Sequence, residues 1–254
     1  MTPPAGFSNY LGVASSSAYA VLAGDYFGVI QSIEGFNTAD LNWGTASAQA
    51  VTLSFWVRSS LTGTFGGALF NSGLNRSYAF SYSISAANTW EQKTVTIAGD
   101  TTGTWLTNNG VGISVNFNLG TGSTYSGTAG AWSGSLLLAP TGATSIVGTS
   151  GATFYITGVQ LEKGSTATPF DYRPYGTELA LCQRYFFKSI SESFAVQSAA
   201  YTSYCYKVTM RASPTLTLTP TSGTATVGTQ DANGFSAVGS TGPVGVHISA
   251  TAEL

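Results

Sequence analysis

Trp56 and Arg58 form the pair of side chains best suited to bind a ligand. They lie two residues apart in the stretch 51–58, where Val, Leu and Phe alternate with Thr, Ser, Trp and Arg. Alternate residues of a strand share one face. An indole ring stacks on the C–H surface of a sugar, and a guanidinium donates directed hydrogen bonds. If this face is the concave face of a sandwich, both residues contact the ligand; packing of Trp56 under a loop is the alternative.

The other tryptophans lie outside this stretch. Trp43, Trp105 and Trp132 occur among Gly, Asn and Thr residues, which are typical of loops. Because loops run over the surface, each ring is a candidate contact to a ligand or to another subunit. The alternative is a plug that closes one end of the sandwich. Trp90 begins a strand-like stretch and is interpreted as a core or rim anchor, with sugar stacking as the alternative.

Carboxylates are scarce, which argues against catalysis. The chain has 11 Asp and Glu residues. A glycosidase needs two carboxylates placed about 5–9.5 Å apart. The candidates form no recognisable pair, so the sequence predicts a protein that is not an enzyme. These candidates are Glu34, Asp40, Glu91, Asp100, Glu162 and Asp171.

No cofactor is expected, although a calcium site stays open as the alternative. Asp25, Asp40 and Asp100 lie in predicted turns, but calcium takes six to eight oxygen ligands and no dense Asp/Asn loop is present. Capping of turns is the favoured interpretation of these carboxylates. The single histidine, His247, has no partners for a metal site and is interpreted as a strand residue with its hydrogen bonds satisfied.

Composition narrows the class of protein. Of 254 residues, 43% are apolar, only 8% are charged, and the net charge is −2. This balance offers no attraction to nucleic acid, and no apolar run approaches the ~20 residues that span a membrane. Cys182 and Cys205 are too few for a disulfide framework. No signal peptide is visible, which indicates either assembly in a cytoplasm with release by lysis or a sequence trimmed at a domain edge. Because cytoplasmic assembly is reducing, we expect both thiols to be free and buried.

The elements that would position these residues are strands. Period-2 alternation dominates, and about eight short strands separated by Gly-rich turns predict an all-β jelly-roll sandwich. A turn between Phe70 and Arg76 predicts a hairpin. The long Gly/Ser/Thr segment 119–150 is interpreted as a functional or mobile loop with one short strand around 133–139. The remaining predicted strands of the sandwich are Tyr26 to Glu34, Thr64 to Phe70, Tyr78 to Ile84, Trp90 to Ile97, Val111 to Phe117 and Thr153 to Lys163.

A junction follows the sandwich. We predict a jelly-roll domain at 1–164, a tether with a short helix-like segment at 165–185, and a small C-terminal β domain at 186–254. Thr177 is the predicted N-cap of a helix over Glu178 to Tyr185. Glu162 and Arg173 flank the tether, and we predict that they lock it against the sandwich or a neighbouring subunit. A domain as small as the last one favours oligomerisation.

One segment carries a family resemblance. The string FYITGVQLEKGSTATPFDYRPYGTELALCQRYF resembles a signature of bacteriophage tail-fibre and tail-spike proteins. The strings LSFWVRSS and NRSYAFSYSISAANTWEQKTVTIAGDTTGTW resemble the preceding domain of that family, which is similar to the jelly roll of carbohydrate-binding modules, and HISATAEL resembles the way many such chains end. The resemblance covers nearly the whole chain.

The resemblance implies a distal, trimeric, host-contacting part of a fibre. The implied partners are two further copies of the chain and a bacterial cell-surface polysaccharide or lipopolysaccharide, without nucleic acid and without membrane insertion. The implied location is the virion, after assembly in the host cytoplasm. A purely structural role, as a trimerisation or capping module of a virion fibre or head appendage, is the alternative.

Overall fold

The chain forms two compact units. The computed structural model describes residues 1–189, 194–196, 200–239 and 244–253. The first unit is Met1–Asp171 and the second is Tyr172–Leu254. The division between them falls inside the predicted tether. The predicted C-terminal domain also contains residues that lie outside the described part of the chain, at 190–193, 197–199, 240–243 and 254.

The first unit is built from two large antiparallel sheets and a two-stranded parallel sheet, in which β8 pairs with β10. One large sheet has the order β1-β11-β3-β6, and the other large sheet has the order β2-β7-β4-β5-β9. Short 3₁₀ turns occur at Gly35–Asn37, Ala39–Leu41 and Ser123–Tyr125. The strands are β1 (Leu11–Ala14), β2 (Tyr26–Glu34), β3 (Val51–Ser59), β4 (Gly63–Phe70), β5 (Ser77–Ile84), β6 (Glu91–Ile97), β7 (Val111–Thr121), β8 (Ser126–Gly127), β9 (Trp132–Ser133), β10 (Ala139–Pro140) and β11 (Thr153–Lys163).

The pairing of the eight long strands is that of a jelly roll. The first strand pairs with the last (β1 with β11), the second with the seventh (β2 with β7), the third with the sixth (β3 with β6) and the fourth with the fifth (β4 with β5). Such an order results when one long hairpin is rolled into two facing sheets. The predicted all-β sandwich is therefore confirmed.

Alternation in the sequence places the core between the two sheets. On β3, Val51, Leu53, Phe55 and Val57 are at most 1% exposed. Their side chains share one face because successive residues of a strand point to opposite faces. They pack in one cluster with residues from the facing sheet, among them Phe117 of β7. Burial of these large apolar side chains supplies the main stabilisation of the sandwich.

The predicted hairpin joins β4 to β5, but its left-handed residue is unexpected. The positive φ, 54°, belongs to Leu74 rather than to a neighbouring Gly or Asn. The side chain of Asn71 holds this turn, because its Oδ1 accepts hydrogen bonds from the backbone N–H groups of Asn75 and Arg76, each at 3.1 Å. Local side-chain to backbone bonds of this kind stabilise turns that propensity alone does not predict.

The segment 119–150 packs on the sandwich, which corrects the interpretation of a mobile loop. It contains the end of β7 and the short strands β8, β9 and β10. Leu138 is 2% exposed and Ile146 is fully buried. The Nδ2 group of Asn116 donates a 2.8 Å hydrogen bond to the carbonyl of Leu138.

In its described residues, the second unit contains one helix and two small sheets. Strand β18 pairs with β15 along one edge and with β12 and β13 along the other, while β14-β17-β16 form the second sheet. Phe187, Phe235 and Ile248 lie in its core. The elements are α1 (Tyr175–Gln183), β12 (Phe186–Lys188), β13 (Phe194–Val196), β14 (Thr202–Cys205), β15 (Thr215–Pro220), β16 (Ala225–Gln230), β17 (Gly234–Gly239) and β18 (Val244–Thr251).

Two expectations about this unit were wrong. Helix α1 begins after Pro174, so Thr177 lies inside its first turn instead of capping it. No side chain caps this helix start; the backbone N–H groups of Thr177 and Glu178 donate to the carbonyl of Pro174. Cys182 and Cys205 are free, as expected, but both are exposed rather than buried. In α1, none of the residues is buried, so the thiol of Cys182 has no core to enter.

Candidate functional site

Three tryptophans that are far apart in sequence meet at the edge of the sandwich core. The ring centroids of Trp43 and Trp105 are 4.7 Å apart, those of Trp43 and Trp132 are 5.2 Å apart, and those of Trp105 and Trp132 are 5.4 Å apart. All three pairs are edge-to-face, which is the favourable arrangement of aromatic quadrupoles. We call this group the tryptophan cluster.

The indole N–H groups of the cluster are already used inside the protein. Trp43 donates to the carbonyl of Gln49 at 2.7 Å, and Trp132 donates to the carbonyl of Ala98 at 2.8 Å. Trp43 is only 7% exposed, whereas Trp105 and Trp132 are half-buried. Partly buried rings with their N–H groups bonded inside the protein agree with the interpretation of these tryptophans as a plug of the sandwich. A contact of these rings to a ligand or subunit stays a prediction.

A buried ion pair lies beside the cluster. Trp105 donates its indole N–H to Asp100 at 3.2 Å, and the same carboxylate accepts two hydrogen bonds from Arg76. Burial raises the pKa of Asp100, but hydrogen bonds from Arg76 and Thr102 and the positive charge of Arg76 lower it more, so the net shift is downward. The Asp100 hydrogen bond also raises the pKa of Arg76. Asp100 therefore remains ionised near neutral pH and keeps its ion pair with Arg76.

The described residues contain no grouping of three or more His, Cys, Asp or Glu side chains that could hold a metal ion. The other two candidate calcium ligands have partners within the protein. Asp25 accepts hydrogen bonds from the hydroxyl of Tyr19 and the backbone of Leu22. Asp40 forms an exposed ion pair with Lys163 at 3.2 Å.

His247 is a strand residue, as predicted, but its hydrogen bonds are not all satisfied. It lies on β18, where its backbone pairs with Thr219 of β15. Its Nδ1 atom is buried and has no hydrogen-bond partner in the described part of the chain.

Trp56 and Arg58 lie side by side on the outer face of the first sheet, away from the core. Trp56 is half-buried. On the two strands that flank β3, Gln92 of β6 and Thr157 of β11 lie opposite Trp56 in the backbone register. Gln92 and its neighbour on the same face, Thr94, are exposed. We call the surface formed by Trp56, Arg58, Gln92, Thr94 and Tyr155 the Trp56 face.

Contacts within the protein fix the aromatic and cationic groups of this face. The Nε group of Arg58 donates to the carbonyl of Asn88 at 2.7 Å, and its guanidinium lies 5.5 Å from the ring centroid of Tyr155. Trp90 is half-buried at the rim and donates its indole N–H to the carbonyl of Thr2 at 3.0 Å. A fixed platform loses little conformational entropy when a ligand binds.

The outer face of the second sheet is largely covered by the chain itself. The hydroxyl of Ser77 donates to the carbonyl of Ser135 at 2.7 Å and accepts from the backbone N–H of Leu137 at 2.8 Å. A side chain at Gly66 would collide with Pro140. Over β4, β5 and β7, the segment that contains β8 to β10 therefore occupies the surface on which a ligand could otherwise lie.

The two predicted junction residues have separate partners. The carboxylate of Glu162 accepts hydrogen bonds from the backbone N–H and the hydroxyl of Thr168, each at 2.6 Å, and so ties the tether to β11. Arg173 lies 3.6 Å from Glu178 in the second unit, and both side chains are about half exposed. Glu162 thus has the geometry of a tether lock, while the predicted role of Arg173 stays untested.

A groove of mixed polar and apolar character in the second unit escaped the sequence analysis. It has a volume of about 280 Å³ and lies on the β14-β17-β16 sheet. Its lining includes the small side chains of Ser203, Cys205 and Ser236, together with Asp231 and Asn233. The register of β16 against β17 shifts between Val227 and Gln230. Bulges of this kind have no sequence signal of their own.

Comparison with other proteins identifies no family for this chain, because no protein-family model and no curated protein matches it. Among the described residues, no helix has the length and apolar character needed to cross a bilayer.

Proposed function

We propose that this chain is a glycan-binding module of a bacteriophage tail fibre, that it acts as a homotrimer, and that it binds a polysaccharide or lipopolysaccharide on the bacterial surface. The observation that carries the proposal is the half-buried ring of Trp56 beside Arg58, with Gln92 on the adjacent strand. The tail-fibre signature in the sequence supports the viral assignment.

The chemistry of the Trp56 face suits a sugar. The indole ring of Trp56 offers an apolar surface to the C–H groups of a pyranose. Gln92 and Thr94 offer an amide and a hydroxyl that exchange hydrogen bonds with sugar hydroxyls. Because the net charge is only −2, recognition depends on stacking and hydrogen bonds rather than on long-range attraction.

Oligomerisation would make such a shallow site effective. A face that presents one half-buried ring binds a single sugar weakly. Three linked copies raise the overall affinity by about 10²–10⁴ when they engage one surface together. The proposal therefore predicts strong binding to cells or polymeric glycan and weak binding to a monosaccharide.

The test compares Trp56→Ala with the wild-type protein on a glycan array and on bacterial cells. Phe36→Ala is the matched control, since Phe36 is an aromatic residue that is 61% exposed and lies outside this face. We expect Trp56→Ala to lose binding and Phe36→Ala to retain it. Absence of wild-type binding on both surfaces, or full binding by Trp56→Ala, would overturn the proposal. Loss of binding in Asn233→Ala alone would instead place the site in the C-terminal groove.

A purely structural role is the second candidate. The second unit spans only Tyr172–Leu254, and both cysteines of the chain are free. So small a unit without a disulfide is marginally stable alone, and association with other copies stabilises it. Light scattering that gives a trimer, together with no binding to any glycan or cell, would favour this role over glycan recognition.

A further inference from the structure

A single cation of the first unit, Arg58, has no carboxylate partner. The unit spans Met1–Asp171, every residue of which the structure describes, and it contains four basic residues. Only 8% of the residues of the chain are charged, so an unpaired cation is unusual here. The other three basic residues form ion pairs: Arg76 with Asp100 at 2.7 Å, Lys93 with Glu91 at 2.6 Å, and Lys163 with Asp40 at 3.2 Å.

The contacts of Arg58 are all with neutral groups. Its Nε group donates to the carbonyl of Asn88 at 2.7 Å, its Nη1 group lies 2.6 Å from the sulfur of Met1, and its guanidinium lies 5.5 Å from the ring centroid of Tyr155. A neutral amide would serve equally well as the donor to Asn88. An aromatic ring attracts a cation less strongly than a carboxylate does. The positive charge of Arg58 is therefore left without a countercharge.

Part of this guanidinium is available to a ligand. Its Nη2 group makes no hydrogen bond within the first unit and is not buried. A hydrogen bond from a guanidinium to a carboxylate is roughly twice as strong as one between neutral groups. Because the contacts to Asn88, Met1 and Tyr155 already hold the side chain in place, little side-chain entropy is lost when an anion binds.

The carboxylates on the two strands that flank β3 are directed elsewhere. Glu91 of β6 lies opposite Val57, so its side chain leaves the sheet on the core side. Glu162 of β11 lies opposite Thr52, which is six residues, or about 20 Å, along β3 from Arg58. An anion bound beside Arg58 therefore meets no repelling carboxylate from either neighbouring strand.

We propose that the sugar bound at the Trp56 face is a uronic acid, with its ring on Trp56 and its carboxylate on Arg58. This inference rests on the proposed glycan-binding function and names the class of sugar. Trp56 and Arg58 are successive residues on one face of β3, about 7 Å apart along the strand. The carboxylate of a uronic acid is bonded directly to a ring carbon and lies at the edge of the ring, so one sugar contacts both side chains. A phosphodiester instead joins two sugars through ester oxygens and lies farther from the stacked ring.

The first test uses the unmodified full chain on a glycan array. The array carries each uronic-acid glycan beside its neutral counterpart, in which a hydroxymethyl group replaces the carboxylate, and it carries phosphodiester glycans as well. We expect about ten- to hundredfold tighter binding of the acidic member, as for a hydrogen bond to a charged group.

The array result separates this inference from the proposed function. Equal or tighter binding of the neutral members, or binding of phosphodiester glycans alone, would overturn the uronic acid and leave glycan binding intact. Binding to no glycan and to no cells would overturn the proposed function, and this inference with it.

The second test separates the charge of Arg58 from its structural contacts. Arg58→Gln removes the charge and keeps an amide donor for the carbonyl of Asn88. Lys163→Gln is the matched control, because it removes the same charge from β11 of the same sheet, where Lys163 pairs with Asp40 away from the Trp56 face. We expect Arg58→Gln to bind both members of a glycan pair equally and Lys163→Gln to keep the preference for the acidic member. An undiminished preference in folded Arg58→Gln would contradict the proposal.

A measurement on the unmodified chain keeps the test decisive if Arg58→Gln does not fold. The preference for the acidic member should shrink as the salt concentration rises, because salt screens the attraction between a surface cation and a carboxylate. Binding of the neutral member, which depends on stacking, should persist. A preference that is independent of salt would show that the carboxylate is recognised without the charge of Arg58.

Discussion

The guanidinium of Arg76 makes two hydrogen bonds of 2.7 Å to the carboxylate of Asp100, from Nε to Oδ2 and from Nη2 to Oδ1. Asp100 is 1% exposed. Arg76 precedes β5 of one sheet, and Asp100 follows β6 of the other. The pair therefore ties the two sheets together beneath the tryptophan cluster, in the bidentate geometry that is strongest for this type of bond.

Removal of this ion pair should be costly. Asp100→Asn leaves the guanidinium of Arg76 partly buried without its countercharge, and we expect a loss of about 3 kcal/mol in the free energy of unfolding. Asp40→Asn is the matched control, because the Asp40–Lys163 pair is exposed and should contribute less than about 1 kcal/mol. Chemical denaturation of the three proteins measures both values. Equal losses in the two variants would show that burial of the pair is not important.

The contribution of Asp100 to the free energy of unfolding should depend on pH. Its pKa is lowered in the folded protein, whereas an unfolded Asp has a pKa of about 3.9. The stabilisation is therefore fully present above that value and is lost as the pH falls through the lower folded pKa. The difference in unfolding free energy between the wild-type protein and Asp100→Asn should shrink below about pH 4. A difference that stays constant down to pH 2 would contradict this account.

The tryptophan cluster should stabilise the sandwich. Trp43→Ala removes a ring that is 7% exposed and contacts two other rings, so we expect a loss of about 3–5 kcal/mol. Trp90→Ala, at the half-buried rim of the other face, is the control and should cost less. Thermal unfolding followed by circular dichroism compares the variants. If Trp43→Ala melts at the wild-type temperature, the cluster has no structural role.

The attachment of the segment that contains β8 to β10 to the second sheet should depend on the hydroxyl of Ser77. Ser77→Ala removes both hydrogen bonds to Ser135 and Leu137, and we expect a loss of about 1–3 kcal/mol. Ser83→Ala on the same strand is the control, because Ser83 is exposed. Hydrogen exchange around Leu137 should accelerate in Ser77→Ala alone. Unchanged exchange there would mean that other contacts hold the segment.

The tether should be released by a change at Glu162. Glu162→Ala removes the acceptor for the backbone and the hydroxyl of Thr168, so protease cleavage between 165 and 171 should accelerate. Thr166→Ala is the control, since Thr166 is an exposed residue of the same tether. Limited proteolysis followed by mass spectrometry identifies the cut. Equal cleavage of both variants would assign the order of the tether to other contacts.

The sequence predicted elements better than it predicted their contacts. The limits of β2 and β11 agree with the prediction because alternation of apolar and polar residues reports directly on a half-buried strand. The short strand β13, Phe194–Val196, was missed because three residues give no periodicity to detect. Segment 119–150 was interpreted as a functional or mobile loop because Gly and Ser are common both in such loops and in backbone that packs on a sheet.

The sequence by itself determined the all-β class, the strands β2 to β7 and β11, and the placement of Trp56 and Arg58 on one face, since each depends only on the period-2 geometry of a strand. The tertiary structure alone decided that Trp43, Trp105 and Trp132 meet and that Asp100 pairs with Arg76. Those relationships join residues tens of positions apart. They follow from how the strands roll into two sheets, and local patterns carry no information about such distant neighbours.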